Sequence, residues 1–147
     1  MNNKDFVVNT LKQIGFKIAQ ELQSNIPDME ATDIIEQEEY LPRFDNTKQY
    51  LNFNVGYTCF SAKGNAVRLL QPYDSLTYPQ EPEELPAQWG FYWSTNPDKA
   101  LPFLSLSTSP YAKGDCCTAD GKTWRSKIDT NTWSPETNPE FWEEVEP

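Results

Sequence analysis

The stretch Tyr111-Ala-Lys-Gly-Asp-Cys-Cys-Thr-Ala-Asp-Gly-Lys-Thr-Trp-Arg-Ser126 has a residue pattern that also occurs earlier in the chain. This repetition is the strongest indication of the fold. In both copies an aromatic residue lies three positions before a glycine, and a cysteine lies three positions after it. A second glycine, an arginine and a proline three residues before a tryptophan follow in both. So many matches at rare residue types predict two copies of one small module. The paired positions are Phe53 and Tyr111, Gly56 and Gly114, Cys59 and Cys117, Gly64 and Gly121, Arg68 and Arg125, Pro86 and Pro139, and Trp89 and Trp142.

Each copy contains two short β-rich runs separated by a turn. The first copy places runs 57–61 and 67–71 around a glycine-containing turn. The second places runs 116–118 and 123–127 around Asp120-Gly121, and Asp-Gly is a strong hairpin signal. We therefore expect an antiparallel hairpin in each module.

The N-terminal part of the chain has helical patterning. A helix is predicted over 4–24, because apolar residues recur there at spacings of four and three and Pro27 ends the pattern. This helix either packs on its own domain or mediates self-association, since the spacing also suits a coiled coil. A second short helix is predicted from about 29 to 40, with Asp28 as a candidate N-cap. The apolar face of the first helix consists of Val7, Leu11, Ile14, Ile18 and Leu22.

These patterns together predict an α+β fold, in which an N-terminal helical segment precedes two small antiparallel β modules. The expected boundaries are 1–40 for the helical segment, 41–92 for the first module and 93–147 for the second. Modules of this size bury little apolar surface. The aromatic content of 14% supplies large core side chains that compensate.

Composition excludes several classes of function. The net charge of −10 is spread evenly along the chain and repels nucleic acid. No stretch is apolar over the length of a membrane span, so we expect no membrane insertion. The sequence from Met1 to Asp5 does not lead into the apolar core of a signal peptide, so we expect synthesis in the cytoplasm without export by that route.

Candidates for catalysis and metal binding are lacking in the sequence. It has no histidine, and the acidic runs 36–39 and 143–146 are typical of solvated surfaces rather than of acid/base pairs. Cys59, Cys116 and Cys117 are expected to be buried as small apolar side chains rather than to serve redox or metal roles. We therefore predict a protein that is not an enzyme and needs no metal or cofactor.

Aromatic residues remain as candidate binding groups. Trp133 lies in a polar loop stiffened by Pro135, where an exposed indole plane would stack on the C–H face of a sugar ring. Trp142 lies in an apolar run and is expected to fill the core. Trp124 and Tyr111 face either way, because alternate strand positions point to opposite sides. The alternative is that all of these rings fill small cores.

A family resemblance supports the binding interpretation. The stretch 111–126, followed by Trp133-Ser-Pro and by Pro139-Glu-Phe-Trp142, resembles the small chitin-binding module of bacterial chitinases and cellulases, carbohydrate-binding module families five and twelve. Stretches 67–79 and 85–89 of the first copy are similar to the closing half of that module. The resemblance implies a compact, twisted antiparallel β-fold that binds insoluble polysaccharide through exposed aromatic residues.

The resemblance also implies particular site residues. The main ligand-binding aromatic corresponds to Trp133 in the second copy and to Tyr78 in the first. We expect Trp124 and Tyr111 as further candidate contacts. The candidate polar partners at the rim of a bound sugar are Asp129, Asn131 and Arg125.

A second resemblance concerns context. A short helix leading into Leu41-Pro-Arg-Phe44 and then such a module is similar to proteins encoded near the tail-fibre genes of tailed phages and prophages. This implies a non-catalytic, virion-associated tail component that contacts cell-surface or chitin-like polysaccharide. The N-terminal helix would then form a homo-oligomer or dock on a virion protein. The alternative is a structural or adaptor virion protein whose modules bind a protein partner rather than sugar.

Overall fold

Two helices open the chain in the computed structural model, which describes residues 2–147. Helix α1 spans Asn3–Asn25, so the predicted helix over 4–24 is confirmed. The Asn2 side chain caps it by accepting a hydrogen bond of 2.8 Å from the Asp5 N–H. Helix α1 gives way to a 3-10 turn at Ile26–Asp28, where Pro27 lacks the N–H that a continuing helix needs.

The second helix is shorter than predicted. Helix α2 spans only Ala31–Glu36, and a separate 3-10 turn follows at Glu38–Tyr40. The prediction of Asp28 as N-cap is wrong, because that residue belongs to the preceding 3-10 turn and Glu30 occupies the cap position. The Glu30 side chain makes no capping hydrogen bond, which leaves α2 a helix of little more than one turn.

The first sheet has three antiparallel strands in the order β1-β2-β3. Strand β1 spans Thr58–Phe60, β2 spans Ala66–Leu69 and β3 spans Trp89–Phe91. Gly64 has a φ of +94° in the turn between β1 and β2, a conformation that side chains disfavour. The predicted hairpin of the first module is confirmed.

The second sheet has the order β4-β5-β6-β7. Strand β4 spans Leu101–Pro102, β5 spans Cys116–Ala119, β6 spans Lys122–Ser126 and β7 spans Trp142–Val145. Strands β5 to β7 are antiparallel, whereas the short β4 pairs with β5 in parallel. Asp120 and Gly121 both have positive φ, as a two-residue type I′ hairpin turn requires, so the second hairpin is also confirmed. An N-terminal helix followed by two sheets confirms the α+β class.

The repeat reappears as two aromatic triads with the same geometry. In each triad the phenylalanine stacks on the tyrosine, at 5.5 Å between ring centroids in the first module and 5.4 Å in the second. The tryptophan meets the tyrosine edge-on at 5.2 and 5.4 Å. Both tyrosine hydroxyls accept a hydrogen bond from the N–H of the residue that follows the phenylalanine. The triads are Phe44, Tyr50 and Trp89 in the first module and Phe103, Tyr111 and Trp142 in the second.

This geometry corrects one pairing of the sequence repeat. Tyr50, not Phe53, corresponds to Tyr111, because Tyr50 holds the same place in its triad. The first copy has three extra residues between its tyrosine and its glycine, and a 3-10 turn at Tyr50–Asn52 accommodates them. Phe53 instead packs beside the Tyr50 ring at 4.7 Å.

One apolar core extends through both modules. Trp93, in the connection between the sheets, stacks on Tyr111 at 4.4 Å and on Phe91 at 5.7 Å. Its Nε1–H donates to the Ser109 carbonyl over 2.8 Å, and the Ser109 hydroxyl accepts from the Phe91 N–H over 2.8 Å. The connection is therefore part of the core, and the module boundary at residues 92 and 93 stays a prediction.

Within residues 2–147, the buried apolar side chains that seat α1 on the protein lie near its C-terminal end. Leu22 and Ile26 are buried in a second cluster, which also contains Ile34, Ile35, Leu41 and Ala66. The Gln23 amide donates from Nε2 to the Thr58 carbonyl over 2.7 Å, and its Oε1 accepts from the Thr58 N–H over 3.2 Å. These contacts fix the last turns of α1 against β1.

The buried Trp142 generates a stability prediction. Trp142→Ala removes an indole that is 4% exposed and packs edge-on against Tyr111, so we expect a loss of about 3–5 kcal/mol in the free energy of unfolding. Because both modules share one core, the loss should appear in a single cooperative transition during chemical denaturation. Tyr78→Ala, at an exposed ring, is the control and should change the stability by less than about 0.5 kcal/mol. Equal effects of the two variants would contradict the assignment of Trp142 to the core.

Candidate functional site

Trp133 combines exposure with a fixed backbone. Its side chain is 46% exposed in the connection between β6 and β7. Its N–H donates to Asn131 Oδ1 over 3.1 Å, and its carbonyl accepts from Trp142 Nε1 over 2.8 Å. The indole also packs on Phe141, with 5.1 Å between the ring centroids. A large aromatic plane is therefore presented to solvent on a backbone that two buried side chains hold.

Asn131 is the residue that organises this connection. Its main chain exchanges two hydrogen bonds with Tyr111, of 2.8 and 2.9 Å. Its side chain donates from Nδ2 to Ser126 Oγ over 3.0 Å and accepts the Trp133 N–H at Oδ1. Thr130, just before it, has a φ of +52°, which turns the chain away from β6. Asn131 thus positions Trp133.

Two predicted sugar contacts are buried. Tyr111 and Asn131 are both fully buried, so neither can touch a glycan at the protein surface, and we leave both out of the proposed contact set. Burial raises the pKa of the Tyr111 phenol well above its usual range. Both residues belong to the scaffold under Trp133.

The other two predicted contacts, both on β6, have partners other than Trp133. Trp124 is half-buried against the core and donates from Nε1 to the Ala119 carbonyl over 3.1 Å. Arg125 pairs with Glu143 in the strand register and lies near the Cys116 thiol. Among residues 2–147, no hydrogen bond or ring contact joins Trp124 or Arg125 to Trp133. The structure does not bring these four predicted residues into one site.

Tyr78 is the corresponding aromatic of the first module, and it is 54% exposed. Its N–H donates to the Asp74 carbonyl over 3.0 Å. The Asp74 carboxylate accepts from Gln49 Nε2 and from the Thr77 hydroxyl, and these hydrogen bonds hold the pKa of Asp74 below its usual range. Within residues 2–147 the Tyr78 ring has no aromatic neighbour, whereas Trp133 packs on Phe141. The Tyr78 ring is therefore held in place by fewer aromatic contacts than the Trp133 ring.

Two carboxylates shape the turn that follows Tyr111. Asp115 Oδ2 accepts from the Ala112 N–H over 2.8 Å, and Asp129 Oδ1 accepts from the Lys113 N–H over 2.9 Å. Burial raises the pKa of Asp115 to about 6; the nearby Asp129 charge also raises it, and the hydrogen bond from Ala112 lowers it. Asp129, the predicted rim partner, is thus engaged with the main chain. In the sequence, the turn is indicated only by the Gly114-Asp115 pair, because glycine and aspartate are common turn residues.

The three cysteines are buried. Cys59, Cys116 and Cys117 are all buried and free, which confirms the prediction of burial. Burial raises the pKa of Cys59 and of Cys117 to about 12, so both thiols are protonated at neutral pH. In the described residues 2–147, no three histidine, cysteine or acidic side chains lie close enough to hold a metal ion.

The concave parts of the surface lie elsewhere. Two adjoining cavities of about 430 and 420 Å³ flank Val55, between the end of α1 and the first sheet. Trp133 and Tyr78 line neither of them. The candidate site is therefore an open aromatic surface rather than a cleft.

Comparison with known proteins adds no assignment. No protein-family model matches the chain, and no curated protein matches it either. Over the part of the chain that the structure describes, no helix is both long and apolar enough to cross a membrane.

Asp115 generates a pH-dependent prediction. Its pKa is about 6 in the folded protein and 3.8 ordinarily, so the folded state retains a proton that the unfolded state releases between these values. The stability contributed by Asp115 is therefore present below about pH 4 and is lost as the pH rises to about 6. Asp115→Asn keeps an acceptor for the Ala112 N–H but does not titrate.

The measurement is the melting temperature of both proteins from pH 3.5 to 7.5. We expect the variant to gain stability relative to the original protein between about pH 4 and 6, and the difference to be constant at higher pH. Taking the difference cancels the titration of the other carboxylates. A difference that does not vary with pH, or that falls over this window, would contradict the raised pKa.

Proposed function

We propose that this protein is a non-catalytic glycan-binding protein whose principal contact is Trp133. The observation that supports this most directly is the exposed indole on an anchored backbone. A sugar ring presents C–H groups on one face, and these pack well on a flat aromatic side chain. Because Trp133 is already held in place, binding costs little conformational entropy.

Polar groups suited to sugar hydroxyls surround Trp133. The Ser134 and Thr137 hydroxyls lie 2.8 Å apart, and the Thr137 N–H donates to the Ser134 hydroxyl. The Thr132 carbonyl accepts from the Ser105 hydroxyl. Since hydroxyl groups both donate and accept, they can exchange these partners for those of a ligand. We assign the rim role to these residues in place of Asp129, Asn131 and Arg125, the candidates predicted above.

The charge of the protein favours an uncharged glycan. The net charge is −10, and the connection that carries Trp133 also contains the exposed Glu136 and Glu140. An anionic polysaccharide would be repelled by this surface. Together with the resemblance to chitin-binding modules, this supports a neutral, chitin-like chain as the ligand.

Tyr78 provides a second, weaker contact. Because one core joins the two modules, both rings are held in a constant relation to each other. Simultaneous binding of both to one long polysaccharide would raise the overall affinity through effective concentration. The further proposal of a phage or prophage tail-associated component rests on the sequence resemblance around residues 30–44.

A protein-binding adaptor is the second candidate, and one observation favours it. Leu51, Val55 and Leu76 of the first module are exposed large apolar side chains, which suit contact with a protein partner better than contact with a sugar. An adaptor of this kind would show no response on a glycan array while forming a stable complex with its protein partner.

The test is retention on insoluble polysaccharide. The original protein, Trp133→Ala and Tyr78→Ala would be incubated with chitin beads and with cellulose, and the bound fraction measured against protein concentration. We expect the original protein to be retained on chitin, Trp133→Ala to lose at least tenfold in affinity, and Tyr78→Ala to lose less. Tyr40→Ala, at an exposed tyrosine of the helical segment, is the matched control and should bind normally.

Thermal melts accompany the binding assay. All three variants remove exposed rings, so their melting temperatures should stay close to that of the original protein. A Trp133→Ala variant that binds normally, or an original protein that binds neither chitin, cellulose nor any glycan on an array, would overturn the proposal.

A further inference from the structure

The N-terminal two thirds of α1 exposes many large apolar side chains to solvent. Six of the twelve exposed large apolar residues of the described chain lie between positions 6 and 16 of this helix. They are Phe6, Val7, Val8, Leu11, Ile14 and Phe16. Such a concentration on one element marks an interaction surface.

Three of these exposed side chains belong to an apolar stripe along one face of α1, and the C-terminal part of this stripe packs on the rest of the protein. At 100° per residue, Val7, Leu11, Ile14, Ile18 and Leu22 fall on one side of the helix. Leu22 is buried against the rest of the protein and Ile18 is half-buried, whereas Leu11 is 63% exposed. The stripe thus extends beyond the surface on which α1 is seated.

Intrinsic helix propensity alone does not account for the stability of the N-terminal part of α1. Residues 3–17 form about 22 Å of helix. They include Val7, Val8, Ile14 and Gly15, which favour the helix less than alanine or leucine does. Helices of this length are marginal in water without packing, so the segment needs a covering partner.

The chemistry of the stripe fits a second copy of the same helix. Positions 7, 11, 14 and 18 alternate spacings of four and three, which places their side chains along the seam of a coiled coil. Residues 2–25 contain three lysines and two acidic residues, for a net charge of +1. Since the whole chain carries −10, the remaining residues carry −11. Contact through α1 therefore joins segments of nearly zero net charge, where two copies repel each other less than they would through strongly acidic surfaces.

We propose that α1 of one copy packs along α1 of a second copy through Val7, Leu11, Ile14 and Ile18. The arrangement is independent of glycan binding, because none of these residues belongs to either module. It displays more than one Trp133 per assembly, which strengthens binding to a repetitive surface.

Leu11 and Phe16 provide a matched pair for the test. They are similarly exposed, at 63% and 66%, but lie about 140° apart around the helix. We expect the original protein to form a multiple of its 16.9 kDa chain at micromolar concentration in sedimentation equilibrium. Leu11→Asp should be monomeric and Phe16→Asp should keep the mass of the original protein.

Cross-linking gives a second readout that does not depend on a disruptive charge. Because all three natural cysteines are buried, Leu11→Cys introduces the accessible thiol. In a parallel pair Leu11 faces Leu11 of the second copy, and in an antiparallel pair centred on these four residues the two Leu11 positions lie about 5 Å apart along the axis, so both arrangements keep the two thiols close. Mild oxidation should join Leu11→Cys chains at least tenfold faster than Phe16→Cys chains. A monomeric original protein, equal dissociation by the two aspartate variants, or equal cross-linking rates would overturn the proposal.

Discussion

The stacking of Trp93 on Tyr111 is the contact on which the rest of the structure depends. Each module alone is too small to bury an extensive core, and each relies on a triad of aromatic rings. Trp93 extends the second triad through Phe91 to the first sheet, so the two cores become one. A shared core gives both modules the stability of a larger domain. It also holds fixed the loops that the modules carry on their surfaces.

The same core explains why the two copies of the repeat differ at their exposed rings. Trp142 belongs to the second triad, and its indole N–H donates to the Trp133 carbonyl. This hydrogen bond links the residue with the exposed ring to the residue with the buried one. Trp89 belongs to the first triad, but its indole N–H donates to the Tyr73 hydroxyl. The Tyr78 carbonyl therefore does not accept the equivalent hydrogen bond. The two copies thus differ in the acceptor of the buried tryptophan, which is the main chain of the exposed ring only in the second module.

Much of this organisation was predictable from the sequence, where the physical signal is local. The spacing of Val7, Leu11 and Ile14 predicted α1, and the positive φ that Asp120-Gly121 readily adopts predicted the second hairpin. The pairing of Phe53 with Tyr111 was wrong, because equal spacing from a glycine hides an insertion that only three-dimensional packing reveals. The burial of Tyr111 and Asn131 could likewise not be predicted from the sequence, because it depends on contacts between residues that are distant in the chain.

The two hydrogen bonds between Gln23 and Thr58 have a consequence for how the first sheet ends. In the second module, the residue equivalent to Thr58 is Cys116, and its N–H donates to the main-chain carbonyl of Ser94. In the first module the Gln23 amide takes that place and imitates a peptide group of a neighbouring strand. The Gln23 side chain therefore occupies main-chain hydrogen-bonding groups on the free edge of β1, which would otherwise be open to pairing with a strand of another chain. Separation of α1 from β1 would leave the Thr58 N–H and carbonyl without these partners, so the seating of the helix and the pairing of this edge are coupled.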